Sequence, residues 1–473
     1  MTFDPSRMGI VIREAERREV SLMRSLPRCE TFPTNKRLNP LKNCMNKTSS
    51  RRAFLKHSLI TTAGVWIGTT PGLARKLSAS DKLNLGVIGT AHRAASNIKE
   101  VESQNILAIC DVDQTYLDAA AQKFPGAKKY NDFRRLIDQK DLDAIVVATP
   151  DHIHAFATMA ALQSGRHVYC EKPLAHDVHE VRVMRNTAAK YNKLATQMGT
   201  QIHAKSNYRR VVELVQSGAI GSVRECHVWC QKSQTAAPPG DNPPVPKELN
   251  WDLWLGPAPE QPYHKIYHPH NWRAFWDFGC GTLGDMACHY VDLAFWALKL
   301  RAPLTITAEG PKVDTKITPA WMIVHWEFGA RGELPPVKLH WYDGEKHSVP
   351  TRARNLPDWK NGVLFIGDKG MLYADYGIHK LLPEEKFKDF KAPAPFIADS
   401  IGHHEEWIQA CKTGSPTTCN FNYSGALSEA VLLGNVAFRS GEKLEWDAVA
   451  LKVTNTRNAD QFLQREYRKG WKL

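Results

Sequence analysis

Asp285 and His289 are four residues apart in the run Gly281-Thr-Leu-Gly-Asp-Met-Ala-Cys-His-Tyr-Val-Asp292. If this segment is helical, side chains at that spacing lie on one face. An imidazole, with an ordinary pKa of about 6.5, can both accept and donate a proton near neutral pH. Such a pair is suited to acid–base chemistry. The alternative is an ordinary polar pair on a helix.

A glycine turn predicts a second kind of chemistry. The apolar run Lys82–Ile88 ends at Gly89, and a helical stretch follows from about Ser96. Dinucleotide-binding proteins hold a pyrophosphate at such a turn, in the pattern Gly-x-Gly-x-x-Gly/Ala. The three positions here are Gly89, Ala91 and Ala94, so only the second departs from the pattern. The cofactor contacts predicted in this turn are Gly89, Thr90, Ala91, His92 and Arg93.

Asp111 supports the same prediction. It lies 22 residues after Gly89, at the end of the apolar run Ile106–Cys110. A carboxylate at that position accepts hydrogen bonds from the adenosine ribose and repels a 2′-phosphate. No Lys or Arg occurs among the next three residues, Val112, Asp113 and Gln114. The sequence therefore favours NAD over NADP, and a solvated aspartate at a strand end is the alternative.

The elements that position these residues follow two patterns. In the first, the apolar runs Lys82–Ile88, Ile106–Cys110 and Ala144–Thr149 alternate with the helical runs Thr115–Phe124 and Phe133–Gln139. Such alternation predicts βαβ units and a parallel sheet.

In the second, after about Lys205, strand-like runs follow one another with few helices between them. They are Val223–Gln231, Leu304–Glu309, Met322–Phe328 and Val337–Tyr342. This pattern predicts an antiparallel sheet with helices on one face. The expected fold class is an α/β Rossmann domain followed by an α+β domain with a large, mostly antiparallel open sheet.

Two further runs show a family resemblance. Ala148-Thr-Pro-Asp-His-Ile-His154 leads through a helix to His167-Val-Tyr-Cys-Glu-Lys-Pro173. Together with the run containing Asp285 and His289, they resemble the glucose–fructose oxidoreductase/inositol dehydrogenase/MocA (Gfo/Idh/MocA) family over residues 82–473. The segments around Trp251, Asn271 and Gly362 are similar to a secreted, twin-arginine-exported bacterial branch of it.

The resemblance implies roles for three side chains. Lys172 would sit beside the nicotinamide and the reacting carbon, His289 would be the general acid/base, and Asp285 would orient that site or share its protons. We expect a lysine next to a cationic nicotinamide to have a lowered pKa. Pro173 is expected to follow a cis peptide bond.

The resemblance also implies binding residues. Beyond the glycine turn and Asp111, the expected cofactor contacts are Thr149, Pro150, His152, Glu171, Lys172 and Gln201. The expected substrate contacts are His154, Trp272, Arg273 and His289, and no metal is expected. The aromatic residues between Trp251 and Trp276 suit sugar rings, although core packing explains them as well.

The implied function is transfer of hydride between a sugar or polyol hydroxyl carbon and a nicotinamide. One alternative is an NAD-dependent glycoside hydrolase or lyase that works through transient oxidation at C3, and another is a non-catalytic cofactor-binding protein. The implied domains are residues 81–203, which bind NAD, and residues 204–473, which bind substrate. The resemblance also implies that the open sheet of the second domain forms the interface of a homodimer or homotetramer.

A leader is expected before these domains. Arg51 and Arg52 precede the moderately apolar stretch Leu59–Gly72, which is too short to span a bilayer. Residues 45–80 resemble a twin-arginine signal and linker, which predicts recognition by the twin-arginine machinery and a periplasmic or extracellular enzyme with no stable membrane span. Residues 1–44 fit no signal peptide, and we expect a mis-assigned start or a disordered extension there.

The net charge of +13 does not indicate nucleic-acid binding. Residues 1–80 contain 15 Lys and Arg against five Asp and Glu, whereas the rest of the chain contains 47 against 44. The body of the protein therefore lacks the basic excess of a polyanion-binding surface. The ten cysteines include no Cys-x-x-Cys pair, so we expect buried apolar side chains rather than disulfides or a metal site.

Overall fold

The computed structural model describes Ser78 and residues 81–473, so the expected extension and, apart from Ser78, the expected leader lie outside the described residues. Within the described part of the chain, no helix has both the length and the apolarity to cross a bilayer. Two sheets organise it, one of six strands and one of nine.

The six-stranded sheet is parallel and has the strand order β3-β2-β1-β4-β5-β6. Its strands are β1 (Asn84–Ile88), β2 (Asn105–Cys110), β3 (Lys128–Tyr130), β4 (Ala144–Val147), β5 (His167–Cys170) and β6 (Thr196–Met198). Its helices are α1 (Arg93–Val101), α2 (Gln114–Lys123), α3 (Phe133–Ile137), α4 (Asp151–Gln163) and α5 (Val178–Lys190). Every residue of β4 and β5 is buried, as helices on both faces of a parallel sheet require.

The nine-stranded sheet has the order β13-β12-β11-β7-β10-β9-β8-β14-β15. All its pairs are antiparallel except β7 with β10. Its strands are β7 (Val223–Cys230), β8 (Thr305–Glu309), β9 (Ile323–Phe328), β10 (Val337–Asp343), β11 (Asn361–Gly367), β12 (Gly370–Ala374), β13 (His379–Leu382), β14 (Leu444–Asp447) and β15 (Lys452–Val453). The expected fold class, a Rossmann domain with a mostly antiparallel second sheet, is confirmed.

The helices of the second half are α6 (Ser206–Gln216), α7 (Trp251–Leu255), α8 (Cys288–Ala297), α9 (Val349–Arg352), α10 (His403–Thr413), α11 (Phe421–Ser440) and α12 (Asp460–Leu463). Short 3₁₀ helices cover Gln201–Ala204 and Asn271–Ala274, and a π-helix covers Leu283–Ala287 immediately before α8. The long helix α11 is buried along most of its length, between α5 and β8.

One helix of the second half completes the core of the first. Trp407, Ile408 and Cys411 of α10 pack with Leu85 and Val87 of β1 in a single buried apolar cluster. The first two residues of α10, His403 and His404, are also buried, and the ring of His404 stacks on Tyr169 of the same cluster. The expected domain boundary between residues 203 and 204 stays a prediction. Helix α10 follows this boundary in the sequence but packs against the sheet that precedes it.

Candidate active site

A cleft of about 490 Å³ lies where the ends of β1, β2, β4 and β5 meet residues of the second half. It brings together most of the residues selected from the sequence. They are Gly89, Thr90, Ala91, His92, Arg93, Asp111, Thr149, Pro150, Glu171, Lys172, Gln201, Trp272, Arg273, Asp285 and His289.

The glycine turn forms one end of the cleft. Gly89 has a φ of +87°, and a Cβ atom there would lie 2.6 Å from the carbonyl oxygen of Ala148, so only glycine fits. Helix α1 begins just after the turn, its N-cap residue His92 gives no side-chain cap, and its first turn holds no acidic residue. The N–H groups of such a helix end favour an anionic group.

Asp111 is held against this turn. Its Oδ2 accepts from both the backbone N–H and the hydroxyl of Thr90 at 2.9 Å, and its Oδ1 accepts from the N–H of Asp113 at 3.1 Å. Burial raises the pKa of Asp111 above its ordinary value, although these hydrogen bonds oppose the shift. The bonds fix the carboxylate at the end of β2 with its remaining lone pairs available to the cleft.

Glu171 lines the cleft and accepts hydrogen bonds from two side chains of α1. It is buried, and its Oε1 accepts from Nε of Arg93 at 2.8 Å and from Nδ2 of Asn97 at 2.9 Å. Burial raises the pKa of Glu171, but the charges of Arg93 and Lys172 bring it below its ordinary value. Gln201, with its amide oriented to satisfy both neighbours, donates to the carbonyl of Gly199 and accepts from Arg93 at 3.2 Å. Arg93 therefore connects the glycine turn with the side chains of Glu171 and Gln201.

Asp285 lies at the centre of a group of cations. Its Oδ1 accepts from Nζ of Lys172 at 2.6 Å, and its Oδ2 accepts from Nζ of Lys232 at 2.7 Å and from Nε2 of Gln234 at 2.8 Å. Nε of Arg273 approaches Oδ1 at 3.4 Å. Burial would raise the pKa of Asp285, but the three positive charges hold it well below its ordinary value. Asp285 is therefore a fixed anion rather than a proton carrier.

The lysine behaves differently from the sequence-based expectation. Burial lowers the pKa of Lys172, but the charge and hydrogen bond of Asp285 outweigh burial and raise it above its ordinary value. Nζ of Lys172 also donates to the main-chain oxygen of Asp285 at 2.7 Å. An ammonium group has three donors, so one N–H remains for the cleft. The peptide bond between Lys172 and Pro173 is cis, as expected.

His289 is a group in the cleft that can take a proton. It is 8% exposed, and its Nδ1 has no hydrogen-bond partner within the described part of the chain. Burial, reinforced by the charge of Lys172, lowers the pKa of His289 to about 3, so the ring is neutral at pH 7. Asp285 belongs to the π-helix and His289 to α8, and both line the cleft.

Two histidines selected from the sequence do not line the cleft. Nδ1 of His154 lies 2.7 Å from the carbonyl oxygen of Pro173, and Nε2 lies 2.9 Å from that of Thr149. Carbonyl oxygens only accept, so both nitrogens donate, and the pKa of His154 is raised to about 10 by Cys170 and Asp151 although burial opposes this. His154 therefore joins two loops of the cleft floor and is not a substrate contact.

The sequence also predicted that His152 contacts the cofactor, but the structure places its side chain outside the cleft. Its ring lies between Trp254 and Phe278, is fully buried, and approaches the carbonyl oxygen of Trp254 at 2.8 Å through Nε2. Burial lowers the pKa of His152 to about 3. The side chain is part of an aromatic packing cluster, because the first turn of α4 directs it away from the cleft.

The same cluster explains most of the aromatic residues. Trp254, Tyr263, Tyr267, Trp272 and Phe275 pack together and are buried. Of these only Trp254 and Trp272 line the cleft. The guanidinium of Arg273 stacks on the Trp272 ring, 4.1 Å from its centre. Core packing therefore accounts for this sequence feature better than a sugar-binding platform does.

Three residues of the site were not identified from the sequence. Lys232 and Gln234 follow β7 and bind Asp285, and Tyr376 lines the cleft beside His289, with 6.3 Å between ring centres. The ring of Tyr376 also stacks on that of Tyr290, with 4.5 Å between ring centres. No spacing rule links these residues to the glycine turn or to Lys172, since they approach only when the second sheet forms.

Two groups of potential metal ligands lie away from the cleft. One is His203, Asp292 and Cys419, and the other is Glu225, His227 and His340. In the first, Asp292 already accepts from the hydroxyl of Tyr423 and contacts His203. In the second, Arg354 lies 3.0 Å from Glu225. The eight cysteines of the described chain are buried and unpaired, as the sequence predicted.

Comparison with known proteins identifies the family. A family model described as the C-terminal alpha/beta domain of an oxidoreductase family (GFO_IDH_MocA) matches residues 225–473, more than half of the chain, and the NAD-binding Rossmann-fold model of the same family matches residues 83–199. The chain belongs to the Gfo/Idh/MocA oxidoreductase family. The family model thus identifies NAD as the cofactor of the first domain.

Individual relatives agree with this. Myo-inositol 2-dehydrogenase of Thermotoga maritima is 31% identical over 295 residues, covering 62% of this chain and 74% of that protein. Inositol 2-dehydrogenase of Salmonella paratyphi B is 30% identical over 148 residues, 31% of this chain, and the alignment spans only 43% of that relative. A solved structure of scyllo-inositol dehydrogenase from Lactobacillus casei, with bound NAD(H) and scyllo-inositol, has the same fold: its TM-score is 0.52 at 16% identity, with 77% of this chain and 99% of that one covered.

The side chains present fit this cofactor. The glycine turn and the uncapped start of α1 suit a pyrophosphate, and Asp111 suits the adenosine ribose. His289 and Tyr376 line the other end of the same cleft, together with Lys172. We expect Thr149 and Pro150 to line the cofactor and Gln201 to approach its nicotinamide end, which stays a prediction.

Proposed function

We propose that this protein is an NAD-dependent dehydrogenase that oxidises a hydroxyl group of a sugar or polyol. The observation that carries the proposal is a neutral, unpartnered imidazole, His289, in one cleft with the ionised Lys172–Asp285 pair and the glycine turn. NAD, when bound, supplies the hydride acceptor for such an oxidation.

Side chains of the protein itself move the proton and stabilise the charge. His289 accepts the proton of the substrate hydroxyl, because its depressed pKa keeps the ring unprotonated. The third N–H of Lys172 donates to the substrate oxygen and stabilises the negative charge that grows on it. Asp285 fixes the position of Lys172 and offsets its charge. Since no neighbour binds Nδ1 of His289, the ring can hold the proton on either nitrogen.

The substrate class is supported by the relatives and by the polar lining of the cleft. Both relatives are named inositol dehydrogenases, which favours a polyol or sugar over a glycoside as the group oxidised. Lys232 and Arg273 add donors to the same cleft as His289 that suit hydroxyl groups. The glycoside hydrolase alternative needs the same cleft but has less support from these relatives.

One experiment separates these activities. The protein is assayed at 340 nm with NAD and a panel containing myo-inositol, scyllo-inositol, common hexoses and aryl glycosides. Net NADH formation with a sugar or polyol is the expected result. Aglycone release without net NADH would replace the dehydrogenase by the hydrolase. If Lys172→Ala and His289→Ala both kept full activity, neither assignment would stand.

We also propose that the chain is exported by the twin-arginine route. The support is Arg51-Arg52 followed by a weakly apolar stretch, and the chemistry of this route, which carries folded proteins and so permits NAD to be bound beforehand. Cell fractionation should find the protein in the periplasm or medium. Replacing both arginines by lysine should retain it in the cytoplasm, and unchanged export of that variant would reject the route.

We also propose that the nine-stranded sheet forms the interface of a homodimer or homotetramer. Lys338, Glu327, His340 and His325 on β9 and β10 are exposed or only partly buried. Light scattering after size exclusion should give two or four times the mass of the chain that is purified, which is 53.3 kDa for the full sequence. A monomer at micromolar concentration would reject this proposal.

A further inference from the structure

Residues 464–473, which we call the terminal segment, follow α12 and pack against helices from both halves of the chain. Arg465 donates through Nη2 to Oε1 of Glu180 in α5 at 2.8 Å. Arg468 donates through Nη1 to Oδ1 of Asp252 in α7 at 2.6 Å. These two ion pairs fix the course of the terminal segment.

Trp471 is the residue of the terminal segment that lines the cleft. Its N–H donates to the carbonyl oxygen of Arg468 at 3.1 Å, which continues the fixed course as a turn. Its ring meets that of Phe156 edge to face, with 5.4 Å between ring centres, and lies 6.1 Å from that of Phe133. The guanidinium of Arg134 lies 5.0 Å from the centre of the indole. Side chains of α3 and α4 therefore hold the indole at the wall of the cleft, where it is only partly buried.

The strand order places this indole at the adenosine end of the cleft. Phe133, on which it packs, begins α3 just after β3, and β3 is the neighbour of β2. Asp111, which suits the adenosine ribose, follows β2, whereas Lys172 follows β5. Three strand spacings of about 4.8 Å separate β2 from β5, a distance of roughly 14 Å. Trp471 therefore lies near Asp111 and away from the reacting end.

The lining at this end of the cleft is mostly apolar. Besides Trp471, it includes Cys110, Val112, Phe133 and Ile153. The carboxylate of Asp132, which also lines the cleft, is already paired with Arg134, with 2.7 Å between Oδ2 and Nη2. Such a lining offers packing contacts rather than charge, which suits the flat, apolar faces of an aromatic base.

We propose that the indole of Trp471 contacts the adenine ring of bound NAD. Trp471 lies within residues 225–473, which match the C-terminal domain of the family, whereas residues 83–199 match the NAD-binding domain. The adenine site of the first domain is thus completed by a residue of the second. Trp471 binds the base and takes no part in proton or hydride transfer, so the proposal does not depend on which alcohol is oxidised.

Isothermal titration calorimetry of the full chain with AMP tests the contact, because AMP carries the adenine and lacks the nicotinamide. Trp471→Ala should weaken the binding of AMP and of NAD by a similar factor of at least about five, as expected when an aromatic ring is removed from a nucleobase. Trp471→Phe keeps a ring and should recover most of the affinity. An unchanged affinity for AMP in Trp471→Ala, or no binding of AMP to the wild-type protein, would overturn the proposal.

A matched variant separates this contact from a general loss of structure. Trp359→Ala removes another partly buried indole, which stacks on Tyr373 with 3.8 Å between ring centres and does not line the cleft. It should bind AMP as the wild-type protein does. Equal weakening of AMP in Trp359→Ala and Trp471→Ala would reject a specific contact with adenine.

Hydrogen exchange of the wild-type protein decides the question even if Trp471→Ala fails to fold. Saturating AMP should slow the exchange of backbone amides in the terminal segment, since the bound base holds Trp471 in place. Nicotinamide mononucleotide, which lacks adenine, should leave that exchange unchanged. Exchange that AMP does not slow, or that both nucleotides slow equally, would overturn the proposal.

Discussion

Nζ of Lys172 lies 2.6 Å from Oδ1 of Asp285 and 2.7 Å from the main-chain oxygen of the same residue. These residues are 113 positions apart and come from the two halves of the chain. The contact therefore fixes the distance between the end of β5 and the π-helix. The contact also stabilises the charged forms of both groups, since Asp285 raises the pKa of Lys172 and Lys172 lowers that of Asp285.

Replacing the carboxylate should destabilise the protein. Asp285→Asn leaves Lys172, Lys232 and Arg273 without their shared anion, and removing one partner of a buried ion pair costs about 3–5 kcal/mol. Urea unfolding at pH 7 measures the change in the free energy of unfolding. Asp389→Asn, at an exposed aspartate, is the control and should differ from wild type by less than about 0.5 kcal/mol. Equal stability of both variants would mean that the cations find other partners.

His289 gives a prediction about the pH profile. The neutral ring is the active form, and protonation on lowering the pH removes it. Because the pKa of His289 is lowered to about 3, kcat/KM should show no acid limb near pH 6.5. His289→Asn should lower kcat by about 10²–10⁴-fold and leave the Kd for NAD unchanged. An acid limb near pH 6.5 that disappears in His289→Asn would contradict the depressed pKa.

Ala91 gives a prediction about cofactor affinity. It occupies the position where the backbone must approach the pyrophosphate, and glycine there would remove a methyl group. Ala91→Gly should lower the Kd for NAD several-fold, as measured by fluorescence titration of the purified protein. Ala94→Gly is the control: Ala94 is fully buried in α1, and glycine there should cost about 1 kcal/mol of stability without tighter binding. An unchanged Kd in Ala91→Gly would indicate a displaced pyrophosphate instead.

His167 gives a prediction about acid stability. Burial lowers the pKa of this histidine to about 4, and its Nδ1 accepts from the N–H of Ala195 at 2.8 Å. Since the folded-state pKa is depressed, its contribution is complete above about pH 6.5 and is lost as the pH falls towards 4, with about 2 kcal/mol gone at pH 5. His167→Asn keeps an acceptor and removes the titration.

The measurement is the free energy of unfolding in urea at pH 7 and pH 5. The decrease between these pH values should be about 2 kcal/mol smaller in His167→Asn than in wild type. His264→Asn, at a partly exposed histidine outside the cleft, should keep the wild-type decrease. Identical decreases in all three proteins would show that His167 titrates normally.

Residue spacing predicts some of this site and not the rest. The turn at Gly89, Asp111 at the end of β2 and the pair Asp285–His289 depend on local geometry, which sequence periodicity reports. Lys232 and Tyr376 depend on where β7 and β12 end relative to the cleft, which no local pattern contains. His152 and His154 belong to a recognised motif, but a motif does not state which way a side chain points. Both are turned into the protein by the first turn of α4.

The packing of α10 on β1 has a consequence for synthesis on the ribosome. The apolar cluster that includes Leu83 is complete only when Trp407 and Ile408 join it, more than 300 residues later. At about 5–20 residues per second, that delay is roughly 20 to 60 seconds. During this time the nascent NAD-binding domain exposes the part of this apolar face that α10 later covers. Chaperones that hold nascent chains therefore have a defined target on this protein, which disappears when α10 docks.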